Sequence, residues 1–342
     1  MIDPRAAHAH DTGCRFELSA TMLRNIIALI IAFECITCGP ACAAYPERPV
    51  RLIVGYAGGD TTDLIARVDA LALADFFKQQ FLVENHPGAN GTLATARVAK
   101  AKPDGYTLLL VSSSFSTSPG LYPGLAYQPT RDFVPVSRIA YVHNVLVVGG
   151  SVGVRTLADF IAAVRSNPGK MIFASGGTGS ASHLAAELLK MRAGPLNTLH
   201  VPYKGSGPAL AELLGGHVDA IFLTMPYAYP HVKSGRIKAL AVASLKRAAQ
   251  LPDVPTFDES GIGGFEAAAW SAIAAPIATP YDTVVRLNLG VTNLAGSATV
   301  KERLAGLGAE PLSETSDQFA AYLRTEVEKW SKVIKGASIT LD

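Results

Sequence analysis

The sequence predicts an α/β protein of two domains, and three observations carry that prediction. Short apolar, β-branched runs alternate with stretches of helical spacing almost to the C-terminus. The part that follows an apparent leader, residues 45 to 342, is too long for one ordinary core. The hydrophobic fraction, 49%, suits largely parallel sheets covered by helices on both faces.

The elements follow in order. Residues 50–54 form the first strand, and Leu64, Ile65, Val68, Leu71, Ala72 and Phe76 then recur at helical spacing. Residues 80–84 are a strand, 85–91 a turn cluster rich in Asn, Pro and Gly, 92–100 a helix and 107–111 a buried strand. A run at 142–148 precedes a helix at 156–166. Strands at 171–174, 197–201 and 220–223 then alternate with helices at 182–192 and 208–215. Three helices, near 281–294, 297–306 and 316–334, complete the chain. Without a linker between domains, the chain is expected to cross between them near 143–150 and 265–275. That gives domain 1 as 45–145 plus 270–342 and domain 2 as 146–269.

Residues 1–44 read as an upstream extension followed by a secretory signal. Met22-Leu23-Arg24-Asn25 is a short positive start, Ile26 to Ile36 an apolar run, and small residues at Ala43-Ala44 offer a cleavage point. The run is too short for a bilayer span and contains Glu34. These features predict an exported protein. Cys14, Cys35, Cys38 and Cys42 all precede the cleavage point, and Cys38-Gly39-Pro40-Ala41 is a poor lipidation signal. The mature chain then has no cysteine, which excludes disulfides, thiolate metal sites and cysteine nucleophiles. From Tyr45 onward 27 basic side chains meet 24 acidic ones, too even a balance for nucleic acid. His183, His200, His217 and His231 make no metal box, and Gly177-Thr178-Gly179 is only a fragment of a dinucleotide fingerprint. No cofactor or metal is expected.

Three strands end in glycine- and hydroxyl-rich turns that open into helices: residues 55–62, 175–180 and 203–207. Such turns expose backbone N–H groups at the positive end of a helix, which makes an anion site. With no nucleophile elbow beside them, they point to binding rather than catalysis.

Around these turns the chain resembles the solute-binding proteins of tripartite tricarboxylate transporters, the Bug-type periplasmic receptors. The matching stretches include Tyr45-Pro46-Glu47-Arg48-Pro49-Val50, Asn85-His86-Pro87-Gly88-Ala89-Asn90-Gly91 and Lys102-Pro103-Asp104-Gly105-Tyr106-Thr107. Later come Ser182-His183-Leu184-Ala185-Ala186-Glu187-Leu188, Val201-Pro202-Tyr203-Lys204-Gly205 and Leu251-Pro252-Asp253-Val254-Pro255-Thr256-Phe257. The resemblance implies a type II periplasmic-binding-protein fold, two α/β domains around a ligand cleft. It also implies a monomeric, non-enzymatic receptor for a small carboxylated solute, held largely by backbone amides and ordered water. The implied partners are membrane permease subunits or a membrane sensor. A competing class is an exported hydrolase using His183 and a serine.

The candidate ligand residues are Tyr56, Gly58, Gly59, Asp60, Thr61 and Asp63 in the first turn and Ser113 or Ser114 in a hydroxyl-rich loop, 112–117, after the third strand. In the second turn they are Ser175, Gly176, Gly177, Thr178, Gly179, Ser180 and His183; Tyr203 comes from the third. The first turn departs from the family pattern: counting back from Asp63 puts Asp60 where a second glycine belongs, and a one-residue insertion is the other alignment. Asp60 either caps the following helix or enters the pocket and favours ligands bearing an amino or amide group. Tyr203 either lines the cleft or packs at the sheet edge. His183, at a helix start, is expected to be neutral.

Overall fold

The computed structural model describes residues 45–341; the leader, its cleavage point and the four cysteines lie outside the described residues. Two sheets form. The first contains β1 (Val50–Val54), β2 (Phe81–Asn85), β3 (Thr107–Ser112), β4 (Phe133–Val142), β10 (Ala269–Pro276) and β11 (Ala309–Pro311), ordered β11-β4-β10-β3-β1-β2. The second contains β5 (Asn144–Gly149), β6 (Ile172–Ser175), β7 (Leu199–Pro202), β8 (Ala220–Thr224) and β9 (Ile237–Val242), ordered β7-β6-β8-β5-β9.

The sheets are mixed, which corrects the expectation of largely parallel ones. β1 lies parallel to β2 and β3, and β6 parallel to β7 and β8. β10, however, runs antiparallel between β3 and β4, and β5 antiparallel between β8 and β9. The cause is the crossing itself. The chain leaves the first sheet at the end of β4 and re-enters it at the start of β10, so those two neighbours must run in opposite directions. The same holds where β5 begins and β9 ends in the second sheet.

Helices α1 (Thr61–Phe77), α2 (Thr92–Val98), α8 (Tyr281–Gly296) and α9 (Ala298–Gly306) belong with the first sheet. Apolar side chains four or so residues apart on α1, Ile65, Ala66, Ala70 and Leu73, join Leu52, Val54, Leu108 and Leu110 in its core. Helices α4 (Leu157–Ser166), α5 (Ala181–Ala193), α6 (Ser206–Gly215) and α7 (Met225–Lys233) belong with the second. There Phe222 is surrounded by Phe173, Phe257 and Phe265, with ring centroids 5.8–5.9 Å away. Each such side chain contributes roughly 1.5–3 kcal/mol on burial. Helix starts carry their own hydrogen-bond acceptors. Thr156 and Asp159 form a reciprocal capping box on α4, as Thr315 and Gln318 do on the C-terminal helix α10 (Ser316–Gly336).

Helix α10 belongs to both lobes. Phe319 and Leu323 pack in the first-sheet core against Trp270, whereas Trp330, Val333 and Ile334 pack in the second-sheet core with Leu184 and Leu188. Between the two halves, buried Glu326 accepts hydrogen bonds from Trp330 Nε1 (2.9 Å) and from Lys329 Nζ. Lys329 also donates to the Glu266 carbonyl at 2.9 Å. Residues 45–342 cluster as a single compact unit.

Candidate functional site

Strand register places the glycine turns. Ser112, at the carboxyl end of β3, pairs with Ser271 near the start of β10, and Ala269 pairs with Val142 at the end of β4. In the second sheet Asn144 pairs with Thr224 at the end of β8, and Val145 with Val242 at the end of β9. The carboxyl ends of β1 and β3 therefore lie beside the crossings, as do those of β6 and β8. The first and second glycine turns extend from these ends, so both lie at the crossing side of their sheets. Open α/β sheets bind ligands at such strand ends.

The first turn is held by a carboxylate. Asp63, 1% exposed, accepts the Gly59 N–H (2.8 Å), Arg67 Nε (3.0 Å) and Asn85 Nδ2 (2.8 Å). Burial alone would raise its pKa, but these bonds outweigh it and hold the carboxyl below the usual aspartate range. With its oxygens so engaged, Asp63 shapes the turn from within rather than presenting itself to a ligand. Asp60 is the N-cap of α1, its Oδ1 accepting the Thr62 N–H at 2.8 Å. Gly55 lets this turn meet the 85–91 turn closely, since a Cβ there would lie 2.6 Å from Gly91 Cα.

Beside it, Tyr56 and two serines form a hydroxyl cluster. Tyr56 Oη lies 2.7 Å from Ser112 Oγ and 2.6 Å from Ser114 Oγ, with the two serine oxygens 3.0 Å apart. Burial pushes the Tyr56 phenol pKa up, so it stays a neutral donor and acceptor. Ser114 opens helix α3 (Ser114–Leu121), where sequence reasoning placed a loop. Ser113 precedes it and stays out of the cluster.

The second turn is held by neutral groups. Ser175 Oγ, fully buried, accepts the Gly177 N–H (3.2 Å) and meets His200 Nε2 at 2.7 Å. Ser182 Oγ takes the Gly176 N–H (2.9 Å), and His183 Nδ1 takes the Gly179 N–H (3.0 Å). His183 stacks on His200 with centroids 3.9 Å apart. Burial first, then the neighbouring His200 and Lys190, lower the His183 pKa to about 4. It is neutral, as expected, but the main cause is desolvation rather than the helix end. Ser180 caps α5 by accepting the His183 backbone N–H. The third turn is joined to the second: Tyr203 N–H donates to the Ser175 carbonyl (2.9 Å) and Gly205 N–H to the Gly176 carbonyl (3.1 Å). Tyr203 itself is half-buried.

This accounting changes which amides are free. The N–H groups of Gly59, Gly176, Gly177 and Gly179 are already occupied by the protein's own side chains. Among the described residues, those of Gly58, Thr61, Thr178 and Ala181 have no acceptor. They lie at or just before the first turns of α1 and α5, where backbone donors are left over. Gly58 and Thr178 are exposed. Sequence reasoning missed Asn85, Asn90, Ser182 and His200 as parts of the site. Asn85 carried a usable signal, since it ends the strand parallel to β1 and sits opposite Val54.

The comparisons with known proteins give the family and the fold. Residues 65–339 match the tripartite tricarboxylate transporter family receptor profile, and the chain belongs to that family. It is 38% identical to the protein BugT of Bordetella pertussis over 320 residues, covering 93% of this chain and 98% of that one. A Rhodopseudomonas palustris structure solved with adipate superposes with a TM-score of 0.73 at 36% identity, covering 87% of this chain and all of the other. MatC from the same organism, with bound malate, gives 0.70 at 33% identity, covering 85% and 100%. The fold is that of periplasmic binding proteins, and the family is one of receptors, not enzymes. The hydrolase alternative fails locally as well. His183 Nδ1 is occupied by an amide, and Ser175, although bonded to His200, is fully buried.

Proposed function

We propose that this chain is an exported receptor that captures a small dicarboxylate between the two glycine turns and delivers it to a membrane permease. The observation that supports the reading is the pair of helix N-termini, on α1 and α5, that lie at the crossing side of the two sheets, each with unoccupied backbone N–H groups. One carboxylate would bind Gly58 and Thr61, the other Thr178 and Ala181, with Tyr56 and Ser114 hydroxyls lining the space between. Asp60 caps α1 through Oδ1, a role that requires no ammonium group of the ligand; adipate and malate in related structures support that class. Micromolar affinity corresponds to about −8 kcal/mol. A helix end contributes ~0.3–2 kcal/mol to a nearby charge, so several amide bonds and lobe closure must act together. Export would use the leader at 22–44.

Titration calorimetry on residues 45–342 with malate, adipate, glutamate and glutamine tests the reading. Binding of either dicarboxylate ahead of the amino-bearing pair supports it. Preference for glutamate or glutamine would return Asp60 to the pocket, and no binding at all would reject the site.

A further inference from the structure

A polar contact that capture does not use lies at the hinge. His143 is the residue between β4 and β5, at the first crossing, and its side chain is 4% exposed. Its Nδ1 lies 2.8 Å from Ser244 Oγ, on the second crossing after β9, and its Nε2 lies 3.1 Å from Glu310 Oε1 on β11. Proton counting fixes the roles. Ser244 Oγ donates its only proton to the Lys246 carbonyl at 2.8 Å, so it must accept from His143 Nδ1–H. The contact between Nε2 and Glu310 then needs one further proton, held by the imidazolium or by the carboxylic acid. Without it an imidazole lone pair faces a carboxylate oxygen.

This contact joins the lobes. β11 is an edge strand of the first sheet, while Ser244 follows the last strand of the second. The same edge leans on the second lobe two residues earlier, where a Cβ on Gly308 would lie 2.6 Å from Pro226 Cγ at the start of α7. A cavity of about 260 Å³ opens onto His143, Ser244 and Glu310, giving solvent protons a route to the pair. The other charged or titratable groups around it are accounted for. Arg138 is bonded to Glu314 at 2.8 and 2.5 Å and lies over the Tyr322 ring. Glu266 accepts the Tyr141 hydroxyl at 3.3 Å, Tyr141 meets the imidazole edge-on, and Lys246 lines the cavity.

We propose that the His143–Glu310 pair is a proton-operated latch on the hinge. With the shared proton in place it ties the β11 edge to the second crossing; losing that proton releases the tie and shifts the population of lobe arrangements. One proton can move the population ratio by at most about tenfold per pH unit.

The test uses residues 45–342, a cysteine-free background, labelled at Lys100→Cys and Lys170→Cys, both exposed and one in each lobe. Interlabel distance distributions are recorded by spin-label spectroscopy from pH 5 to pH 8 without ligand. The expected result is a pH-dependent change in the parent that disappears in Glu310→Gln and in His143→Gln and persists in Glu266→Gln. Glu310 is about half exposed, so its variant serves if the buried His143→Gln chain fails to fold. No change in the parent, or an unchanged pH response in Glu310→Gln, overturns the latch.

Discussion

The two glycine turns solve one problem with opposite chemistry. Each must hold glycine amides in a fixed concave arc while leaving other amides free. In the first lobe the organiser is an ionised carboxylate, Asp63, neutralised by Arg67 and further bonded by Asn85. In the second it is a neutral imidazole, His183, stacked on another imidazole and helped by two serine hydroxyls. The lesson is that a turn's resistance to pH follows from its organiser. A carboxylate whose pKa is held low keeps its acceptors through mild acid. An imidazole must stay unprotonated at Nδ1 to accept an amide, so the second turn is the acid-sensitive half of the site.

The largest test of that contrast is Asp63→Ala. It leaves the Gly59 amide and Asn85 Nδ2 without their buried acceptor, Arg67 being half exposed, and a loss of ~3 kcal/mol in unfolding free energy is expected from urea melts, together with loss of dicarboxylate binding. Stability retained within 1 kcal/mol or so would mean the turn holds itself. Next in size is Asp69, on the same helix six residues on. It is fully buried, Oδ2 has no partner, and desolvation pushes its pKa up to about 8. Its folded pKa exceeds its unfolded one, so the folded state binds more protons and stability falls as pH rises from about 4 to about 8. Asp69→Asn should therefore stabilise the protein by ~2–4 kcal/mol at pH 8 and much less at pH 4. A variant no more stable than the parent at pH 8 would show that the carboxylate is solvated.

His183 has the reverse sign. Its folded pKa is depressed, so the unfolded state binds more protons and stability is lost as pH falls from about 6.5 to about 4. We expect ~1–2 kcal/mol of that loss, with ligand affinity weakening over the same window, and His183→Asn should flatten both profiles. Profiles that match the parent would leave the second turn without its acid weakness. The smallest effect is Asp60→Ala, which removes one cap for ~1 kcal/mol and should leave ligand preference unchanged. A switch in preference would restore Asp60 as a specificity residue.

Legibility in the sequence followed the same local chemistry. Helices with their own caps, such as α4 behind Thr156 and α10 behind Thr315, were found within two residues of their ends. Helix α3 was not, because Ser113 to Thr117 reads as a hydroxyl loop and Pro119 sits inside the helix. In the fold those hydroxyls bond back to carbonyls of the preceding turn: Ser116 to Ser113, Ser118 to Ser114. β4, β9, β10 and β11 were also missed. β4 and β10 lead into or out of a crossing, without the glycine turn that marks β1 and β6. Arg138 further breaks the apolar pattern of β4; its hydrogen-bonded carboxylate is Glu314, 176 residues away. The glycine turns were legible as places; which amides they leave free was not, because that depends on acceptors such as Asp63 and Ser182 closing onto them.

Helix α10 gives the hinge a mechanical character of its own. Two lobes joined only by the two crossings would swing like a book on its spine. A rod seated in both cores, by Phe319 and Leu323 at one end and by Trp330, Val333 and Ile334 at the other, makes the joint a flexure with a tie-bar. Its travel is set by how far the seats let the rod slide, and its restoring force is felt at every angle. Emptying the second seat, where Trp330, Val333 and Ile334 fill the second lobe's core, should therefore slacken the clamp and loosen that jaw with it.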